Sequence, residues 1–202
     1  MRNIFLSLLL IVFLLLLFAM VFGFSKNFYL REFSLYHPEK TLNINSKFVR
    51  YAGQVIPEYL MGKRDSLQIP GFKNFFNERE IKHMDDVKRI FIWVKIISVL
   101  SLITFLIFLK PNGLPLVLLY SLILIAIILF IFLFLPFDLS FTKFHEILFN
   151  NELWLLNPET DRLIVLLPER FFIDATRGII LSTMFTLGSL LVIFKLIEKE
   201  KK

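Results

Sequence analysis

The stretch LPLVLLYSLILIAIILFIFLF, residues 114–134, is the part of the sequence that decides the fold. It contains no charged side chain, and a helix needs about 20 apolar residues to cross the hydrocarbon core of a bilayer. Three further stretches pass the same length test: Ile4 to Phe24, Ile90 to Leu109 and Phe172 to Phe194. The sequence therefore predicts a polytopic α-helical membrane protein with four transmembrane helices.

Composition assigns the chain to the membrane class before any motif is considered. The 202 residues are 56% hydrophobic and only 20% charged, and 25 of them are Phe, which is too apolar for an ordinary soluble domain. The net charge of +6 would suggest nucleic acid in a soluble protein, but here we expect the lipid bilayer as partner and no nucleic acid. Because cysteine is absent, disulfides, thiolate nucleophiles and cysteine-bound zinc are excluded.

Basic residues in short flanking segments predict the orientation in the cell membrane. Arg2, Lys110 and the lysines of the C-terminal tail fall on one side, and Lys143, Arg162 and Arg170 fall on the other. Because cytoplasmic loops are enriched in Lys and Arg, we expect both termini to be cytoplasmic. Residues 1–202 then form a single membrane domain, with spans at 4–24, 90–109, 114–134 and 172–194 and extracytoplasmic loops at 25–89 and 135–171. The basic residues within 25–89 point the other way, but a loop longer than about 60 residues is largely exempt from the rule.

The first extracytoplasmic loop has the patterning of a small folded layer. From Lys40 to Asn45 polar and apolar residues alternate, which is the period of a half-buried strand, whereas Ser46 to Met61 has the spacing of a helix. We therefore expect mixed α and β structure here. The link from Lys110 to Gly113 is too short for anything except a tight turn.

Two polar segments next to the spans carry the candidate chemistry. His83 and Asp86 lie three residues apart at the expected start of the second span, so a helix places them on one face. A carboxylate can orient a histidine, and an oriented histidine can serve as a general base. His145 precedes the fourth span in a similar polar segment, which continues to Trp154. The alternative for both segments is a solvated helix start with no catalytic role.

A metal site is a further alternative for these residues. His83, Asp86, His145 and Glu146 could supply enough nitrogen and oxygen ligands for zinc or a harder ion. No short-range ligand motif accompanies them, so we expect no metal. His37 lies before a proline with no carboxylate pattern around it, and we expect it to be an ordinary surface residue.

Together, the two segments resemble the bacterial lipoprotein intramolecular transacylase family. The resemblance lies in Glu80-x-x-His83-x-x-Asp86-Val87 and in Phe144-His145-x4-Asn150-Asn151-x2-Trp154-x3-Pro158-x-Thr160-Asp161. Members move the sn-2 acyl chain of a diacylglyceryl-modified lipoprotein onto the α-amino group of its N-terminal cysteine, which leaves an N-acyl, S-monoacylglyceryl product.

The resemblance also implies a fold and a set of site residues. It implies four transmembrane helices and a small extracytoplasmic β-rich cradle between helices 1 and 2, with the active site at the outer leaflet. The catalytic residues it implies are His83 and His145, and it implies no cofactor. The substrate-binding residues it implies are Asp86, Asn150, Asn151, Trp154 and Asp161.

The implied chemistry suits a chain without cysteine. Acyl transfer from an ester to an amine is downhill, and holding donor and acceptor in one substrate gives effective molarities of about 10⁵ M or more, so no enzyme nucleophile is required. Two competing functions remain open from the residues alone. A non-enzymatic membrane anchor or assembly factor would tolerate loss of either histidine, and a membrane hydrolase with a histidine-bound metal would be inhibited by a chelator.

Overall fold

The computed structural model describes residues 1–200, and within that range the chain forms nine α-helices. They are α1 (Arg2–Gly23), α2 (Lys26–Tyr36), α3 (Pro38–Leu42), α4 (Ser46–Met61), α5 (Glu78–Phe108), α6 (Leu114–Phe134), α7 (Phe137–Leu148), α8 (Arg162–Leu166) and α9 (Glu169–Glu200). A 3₁₀ turn at Pro111–Gly113 joins α5 to α6. Helices α1, α5, α6 and α9 are long and apolar enough to cross a membrane, which confirms the prediction of four spanning helices.

Two of the spanning helices begin well before their apolar stretches. Helix α5 starts at Glu78 because Asn77 and Glu80 form a reciprocal cap. The Glu80 N–H donates to Asn77 Oδ1 at 3.0 Å, and the Asn77 N–H donates to Glu80 Oε2 at 2.7 Å. Such a pair satisfies two donors that the helix itself leaves open. The polar first turns of α5, which carry His83, are therefore helical and precede the apolar stretch that begins at Ile90.

The chain divides into two compact units. The spanning unit contains Met1–Met20, Val94–Pro136 and the described part of Thr176–Lys202, and the polar unit contains Val21–Trp93 and Phe137–Ala175. In the spanning unit, Leu6, Val117, Ile125 and Leu187 belong to one apolar core. The polar unit has a core of its own, rich in aromatic rings. All the site residues inferred from the sequence lie in the polar unit.

Close packing of two short helices organises the polar unit. Helix α4 lies against α2, and Gly53 permits the approach. A Cβ atom at Gly53 would lie 3.0 Å from the Leu30 side chain and 3.2 Å from the Phe33 ring. Nearby, the rings of Phe28 and Tyr29 each pack against Phe171, with centroids 5.1 and 4.9 Å apart. These contacts attach the first turn of α9 to α2.

The prediction of a β-rich cradle between helices 1 and 2 is wrong. Among the described residues, that segment contains α2, α3 and α4, and its only β feature is an isolated bridge between Ile69 and Phe72. Of the alternating residues expected to form a strand, Lys40 to Leu42 lie in α3 and Asn43 to Asn45 follow it. Pro38 occupies the first turn of α3, and the left-handed Asn43 (φ 49°) ends it by donating its N–H to the Lys40 carbonyl. Local capping outweighs so short an alternation.

The predicted helix from Ser46 to Met61 is confirmed as α4. Asn45 caps its start, with the side chain accepting the Lys47 N–H at 2.9 Å. Gly62 ends it in the left-handed region at φ 82°, where a residue without Cβ is favoured.

Candidate active site

Two buried histidines approach each other in the polar unit. His83 lies in the polar first turns of α5, and His145 lies in the last turn of α7. Each residue is 7% exposed. Their ring centroids are 6.2 Å apart with an angle of 33° between the planes. The fold therefore brings together the two histidines that the sequence singled out.

One hydrogen bond defines the tautomer of His145. Its Nδ1 lies 2.8 Å from the carbonyl oxygen of Phe141, one helical turn earlier. Because a carbonyl oxygen can only accept, Nδ1 must carry the hydrogen. In the neutral ring the unprotonated nitrogen is then Nε2, so His145 presents one defined basic atom.

Aromatic rings surround His145. Phe141 is nearest, with its centroid 4.1 Å from that of the imidazole, and Trp154 stacks at 4.9 Å with an interplanar angle of 29°. Phe149 stacks at 5.5 Å, and Phe144 meets the ring edge-on at 5.5 Å. These contacts hold the plane of the ring and exclude water from its faces.

His83 is held by packing and not by a hydrogen bond to its Nδ1. Its ring lies 5.1 Å from Phe149, measured between centroids. The Nδ1 atom is buried and has no hydrogen-bond partner among the described residues. A buried nitrogen without a partner is costly, so this atom is a candidate to bind a substrate group or a water molecule.

Burial keeps both histidines neutral near neutral pH. Burial, together with the neighbouring His145, lowers the pKa of His83 to about 4, although Asp86 acts in the opposite direction. Burial also lowers the pKa of His145, opposed by its bond to the Phe141 carbonyl. Neutral imidazoles can accept a proton on one nitrogen and donate a hydrogen bond from the other. The pair can thus divide general-base and donor roles.

Asp86 holds the loop after α7 and does not bond to the buried Nδ1 of His83. Its Oδ2 accepts a hydrogen bond from Asn151 Nδ2 at 2.9 Å, and Arg89 donates to its Oδ1. Burial opposes ionisation of Asp86, but the hydrogen bonds from Asn151 and Arg89 outweigh it and lower the pKa of this carboxyl. The ionised side chain therefore ties the loop to α5.

Arg79 ties the same loop to α5 at a second point. Its guanidinium donates to the Glu152 carbonyl at 2.6 Å. Asn150 directly precedes these two attachments and is exposed, whereas Trp154 after them is half-buried. Sequence reasoning missed Arg79, because nothing in the sequence pairs an arginine in α5 with a backbone carbonyl so far along the chain.

Asp161, a predicted substrate-binding residue, lies buried at the start of α8, where it bonds to other protein groups. It is 5% exposed, and its oxygens accept hydrogen bonds from Asn77 Nδ2 at 2.6 Å and from the Asn157 N–H at 2.7 Å. Glu80, 1% exposed, accepts the Leu163 N–H at 2.5 Å. These bonds connect the start of α5 to the start of α8. Sequence reasoning also missed Asn77, although Asn77-x-x-Glu80 matches a capping-box signature.

The described residues contain no group of three or more His, Cys, Asp or Glu side chains that could hold a metal ion. Glu146, which the metal alternative required, pairs instead with Lys143 at 2.6 Å.

Comparison with known proteins decides the family. The family model described as lipoprotein intramolecular transacylase Lit matches residues 4–172. The chain belongs to this family. The prediction drawn from the two polar segments is confirmed, and the protein is an acyltransferase. Among curated proteins, none matches the sequence significantly.

Solved structures of Lit from Bacillus cereus share the fold of this family member. One has a TM-score of 0.82 at 23% identity and covers 99% of this chain and 95% of its own. A variant with a histidine replaced by arginine has a TM-score of 0.77 at 22% identity, covering 100% and 93%. A histidine-to-alanine variant has 0.74 at 23% identity, covering 99% and 93%. All three are described as membrane-integral, in agreement with four apolar helices here.

Proposed function

We propose that this transacylase moves the sn-2 acyl chain of a diacylglyceryl-modified lipoprotein to the α-amino group of the N-terminal cysteine, with His83 and His145 in acid–base roles. The observation that carries the proposal is the approach of two buried, neutral imidazoles to 6.2 Å between centroids. Among the described residues, neither imidazole forms an ion pair through a ring nitrogen. Both are therefore available to substrate groups.

In the proposed mechanism His145 is the general base. The substrate amine attacks the ester carbonyl carbon, and as the new C–N bond forms, its proton passes to Nε2 of His145. The Nδ1–H bond to the Phe141 carbonyl persists in the imidazolium and stabilises it. When the tetrahedral intermediate collapses, the C–O bond to the glyceryl group breaks and the imidazolium returns the proton to the glyceryl oxygen.

His83 donates a hydrogen bond to the carbonyl oxygen of the ester, where negative charge develops in the tetrahedral intermediate. Its low pKa keeps it neutral, so its ring donates a hydrogen bond without competing with His145 for the proton. Asn150 is exposed in the adjoining loop and is the better of the two asparagines as a second oxyanion donor, because the amide of Asn151 already bonds to Asp86. Asp86 and Asn151 act by positioning the loop, and Trp154 by stacking on His145.

The location of the site follows from the distribution of basic residues. With both termini in the cytoplasm, residues 25–89 and 135–171 lie outside, and the histidines face the outer leaflet. A diacylated lipoprotein in that leaflet is then the partner, and the apolar spans accommodate its acyl chains.

Mass spectrometry of a diacylated lipoprotein incubated with the purified protein tests the proposal. Intramolecular transfer conserves total mass, so fragmentation must locate an acyl group on the cysteine nitrogen. Wild type should produce it, and His83→Ala and His145→Ala should each lose about 10² to 10⁴ in rate. His37→Ala is the matched control, since His37 is exposed and pairs only with Glu39 among the described residues.

The alternatives give different results. A lipoprotein that is not N-acylated by wild type contradicts the transacylase mechanism. Release of free fatty acid that a chelator abolishes would identify a metal-dependent hydrolase. Full N-acylation by both variants would leave the histidines without a catalytic role.

A further inference from the structure

Helix α7 has an apolar face that no described part of the protein covers. Phe144, Ile147 and Leu148 are 56%, 78% and 39% exposed. Their spacing of three and four residues places them on one side of the helix. Exposed apolar side chains in a contiguous row indicate contact with another apolar surface.

The remaining faces of α7 differ from this one. Lys143 and Glu146 form an ion pair at 2.6 Å on the solvent-exposed arc. His145 and Phe141 point inward and pack against each other. Helix α7 therefore has one side buried in the polar unit, one side with the Lys143–Glu146 pair and the exposed Leu139, and one apolar, uncovered side with Phe144, Ile147 and Leu148.

The chain connection places α7 next to the end of a spanning helix. Helix α6 ends at Phe134, and only Leu135 and Pro136 precede α7. Each of the three steps from Phe134 to Phe137 spans at most about 3.6 Å, so α7 must begin within about 11 Å of the end of α6. The last turn of α6 is itself apolar and uncovered, with Leu133 and Phe134 63% and 71% exposed.

We propose that α7 is an interfacial membrane helix, whose face of Phe144, Ile147 and Leu148 inserts into the lipid surface. Amphipathic helices of this kind lie in the membrane plane with the apolar face about 5–10 Å deep. A second copy of the chain is a poorer occupant, because three side chains cannot supply the roughly 800 Å² per partner of a stable protein interface.

Insertion of this face sets the depth of His145 relative to the membrane. The histidine directly follows the inserted Phe144 and contacts its ring, with centroids 5.5 Å apart. The sn-2 ester of a diacylglyceryl group lies at the same boundary between headgroup and hydrocarbon. This consequence for catalysis rests on the proposed function, whereas insertion of α7 does not.

Site-directed spin labelling tests insertion directly, because the chain contains no cysteine. Phe144→Cys and Ile147→Cys report on the apolar face, and Glu146→Cys is the matched control on the charged arc of the same helix. Each labelled protein is reconstituted in vesicles of phosphatidylethanolamine and phosphatidylglycerol, and collision with oxygen is compared with collision with a water-soluble nickel chelate. Thermal unfolding of each variant verifies the fold.

We expect oxygen to dominate at positions 144 and 147 and the nickel chelate to dominate at 146. Nickel collisions at 147 equal to those at 146 would overturn the proposal, since the face would be in water. Low collision with both reagents at 144 and 147 would also overturn it, since the face would then be covered by protein. Neither result depends on transacylase activity.

Discussion

The two units of the molecule bury different kinds of polar side chain. In the described spanning unit, every buried polar residue is a hydroxyl: Ser7, Ser98, Ser101, Ser121 and Thr183. In the polar unit, every one is ionisable: Glu32, Glu80, His83, His145 and Asp161. The difference lies in the cost of burial, because an ionisable group loses more than a hydroxyl when it is removed from water.

A buried hydroxyl can be satisfied by its own helix. Ser7 and Thr183 each donate to a carbonyl one turn earlier, at 2.7 and 2.8 Å. Burying an ionisable group without hydrogen-bond partners costs more than burying a hydroxyl. His145 has a partner one turn earlier in its own helix, the Phe141 carbonyl. Glu80 finds two N–H donors from separate parts of the chain, whereas His83 Nδ1 and both Glu32 oxygens accept or donate no described hydrogen bond. The polar unit thus contains both the most costly contacts and the groups able to do chemistry.

Glu80→Ala should give the largest loss of stability, because it leaves the Asn77 and Leu163 N–H groups buried without acceptors. We expect the free energy of unfolding to fall by about 3 kcal/mol, measured as the shift in thermal midpoint in one detergent. Glu78→Ala, an exposed carboxylate in the same turn, is the control. Equal shifts in thermal midpoint for the two variants would show that the hydrogen bonds of Glu80 do not contribute to stability.

The pH dependence of transfer should reveal the shifted histidines. Lowered pKa values keep both imidazoles neutral to a lower pH. Once the titration of the substrate α-amino group, with its ordinary pKa of about 7.7–8.0, is allowed for, the acid limb that the enzyme adds to kcat/KM should lie below pH 6.5. A histidine with the ordinary pKa would already be about 90% protonated at pH 5.5, and kcat/KM would be lowered about tenfold at that pH. An enzyme pKa of 6.5 in the profile corrected for the substrate amine would contradict the burial that defines this site.

The same shift has a consequence for stability. Below pH 6.5 the histidines of the unfolded chain bind protons, whereas those of the folded protein stay neutral. The free energy of unfolding should therefore decrease as pH falls toward 4. His83→Ala should flatten this dependence, whereas His37→Ala should not.

The spanning helices were predictable because they require only an uninterrupted apolar length. The polar first turns of α5 were not predictable, because the start of this helix is set by the cap of Asn77 and Glu80 and not by hydropathy. The β-rich cradle was inferred from the resemblance, and a strand at Lys40 to Asn45 from the alternation of polar and apolar residues. Local capping outweighs both, because Pro38 starts α3 and the left-handed Asn43 ends it.

The sequence indicated candidate site residues but not how the fold arranges them. His83 and His145 were identified from two separate segments, but their approach depends on α5 and α7 packing through Phe149. The position of Asp161 was hidden for the same reason. Its partners Asn77 and Asn157 become visible only when two distant turns are brought together.

Trp154→Leu should reduce transfer several-fold, because loss of the stacked ring removes about 1 kcal/mol of contact with His145 and frees its plane. Trp154→Phe, which keeps an aromatic face, should retain most of the activity. NMR titration of His145 in both variants separates positioning from general damage. An unchanged His145 titration in Trp154→Leu would contradict the positioning role.

Glu32→Gln should stabilise the protein. Burial and the neighbouring Asp174 raise the pKa of Glu32, even though Arg31 and Arg170 act against them. Keeping this carboxyl ionised therefore costs stability above its ordinary pKa, and the neutral amide should recover about 1 kcal/mol at pH 8. The gain should disappear near pH 4, where the carboxyl is protonated in both states. A gain that is independent of pH would show that charge is not the cause.

Ser7→Ala should have the smallest effect, and it tests the other side of the comparison. The hydroxyl lies 2.7 Å from the Asn3 carbonyl of its own helix and 3.0 Å from the Val117 carbonyl of α6. Asn3 and Val117 lie within α1 and α6, where their carbonyls also accept backbone N–H groups, so removal of the hydroxyl donor leaves neither acceptor without a partner. We expect a loss of about 0.6 kcal/mol in thermal unfolding. A loss as large as that of Glu80→Ala would mean that the contact with Val117 is a tertiary tie of the same importance, and the distinction between the two units would fail.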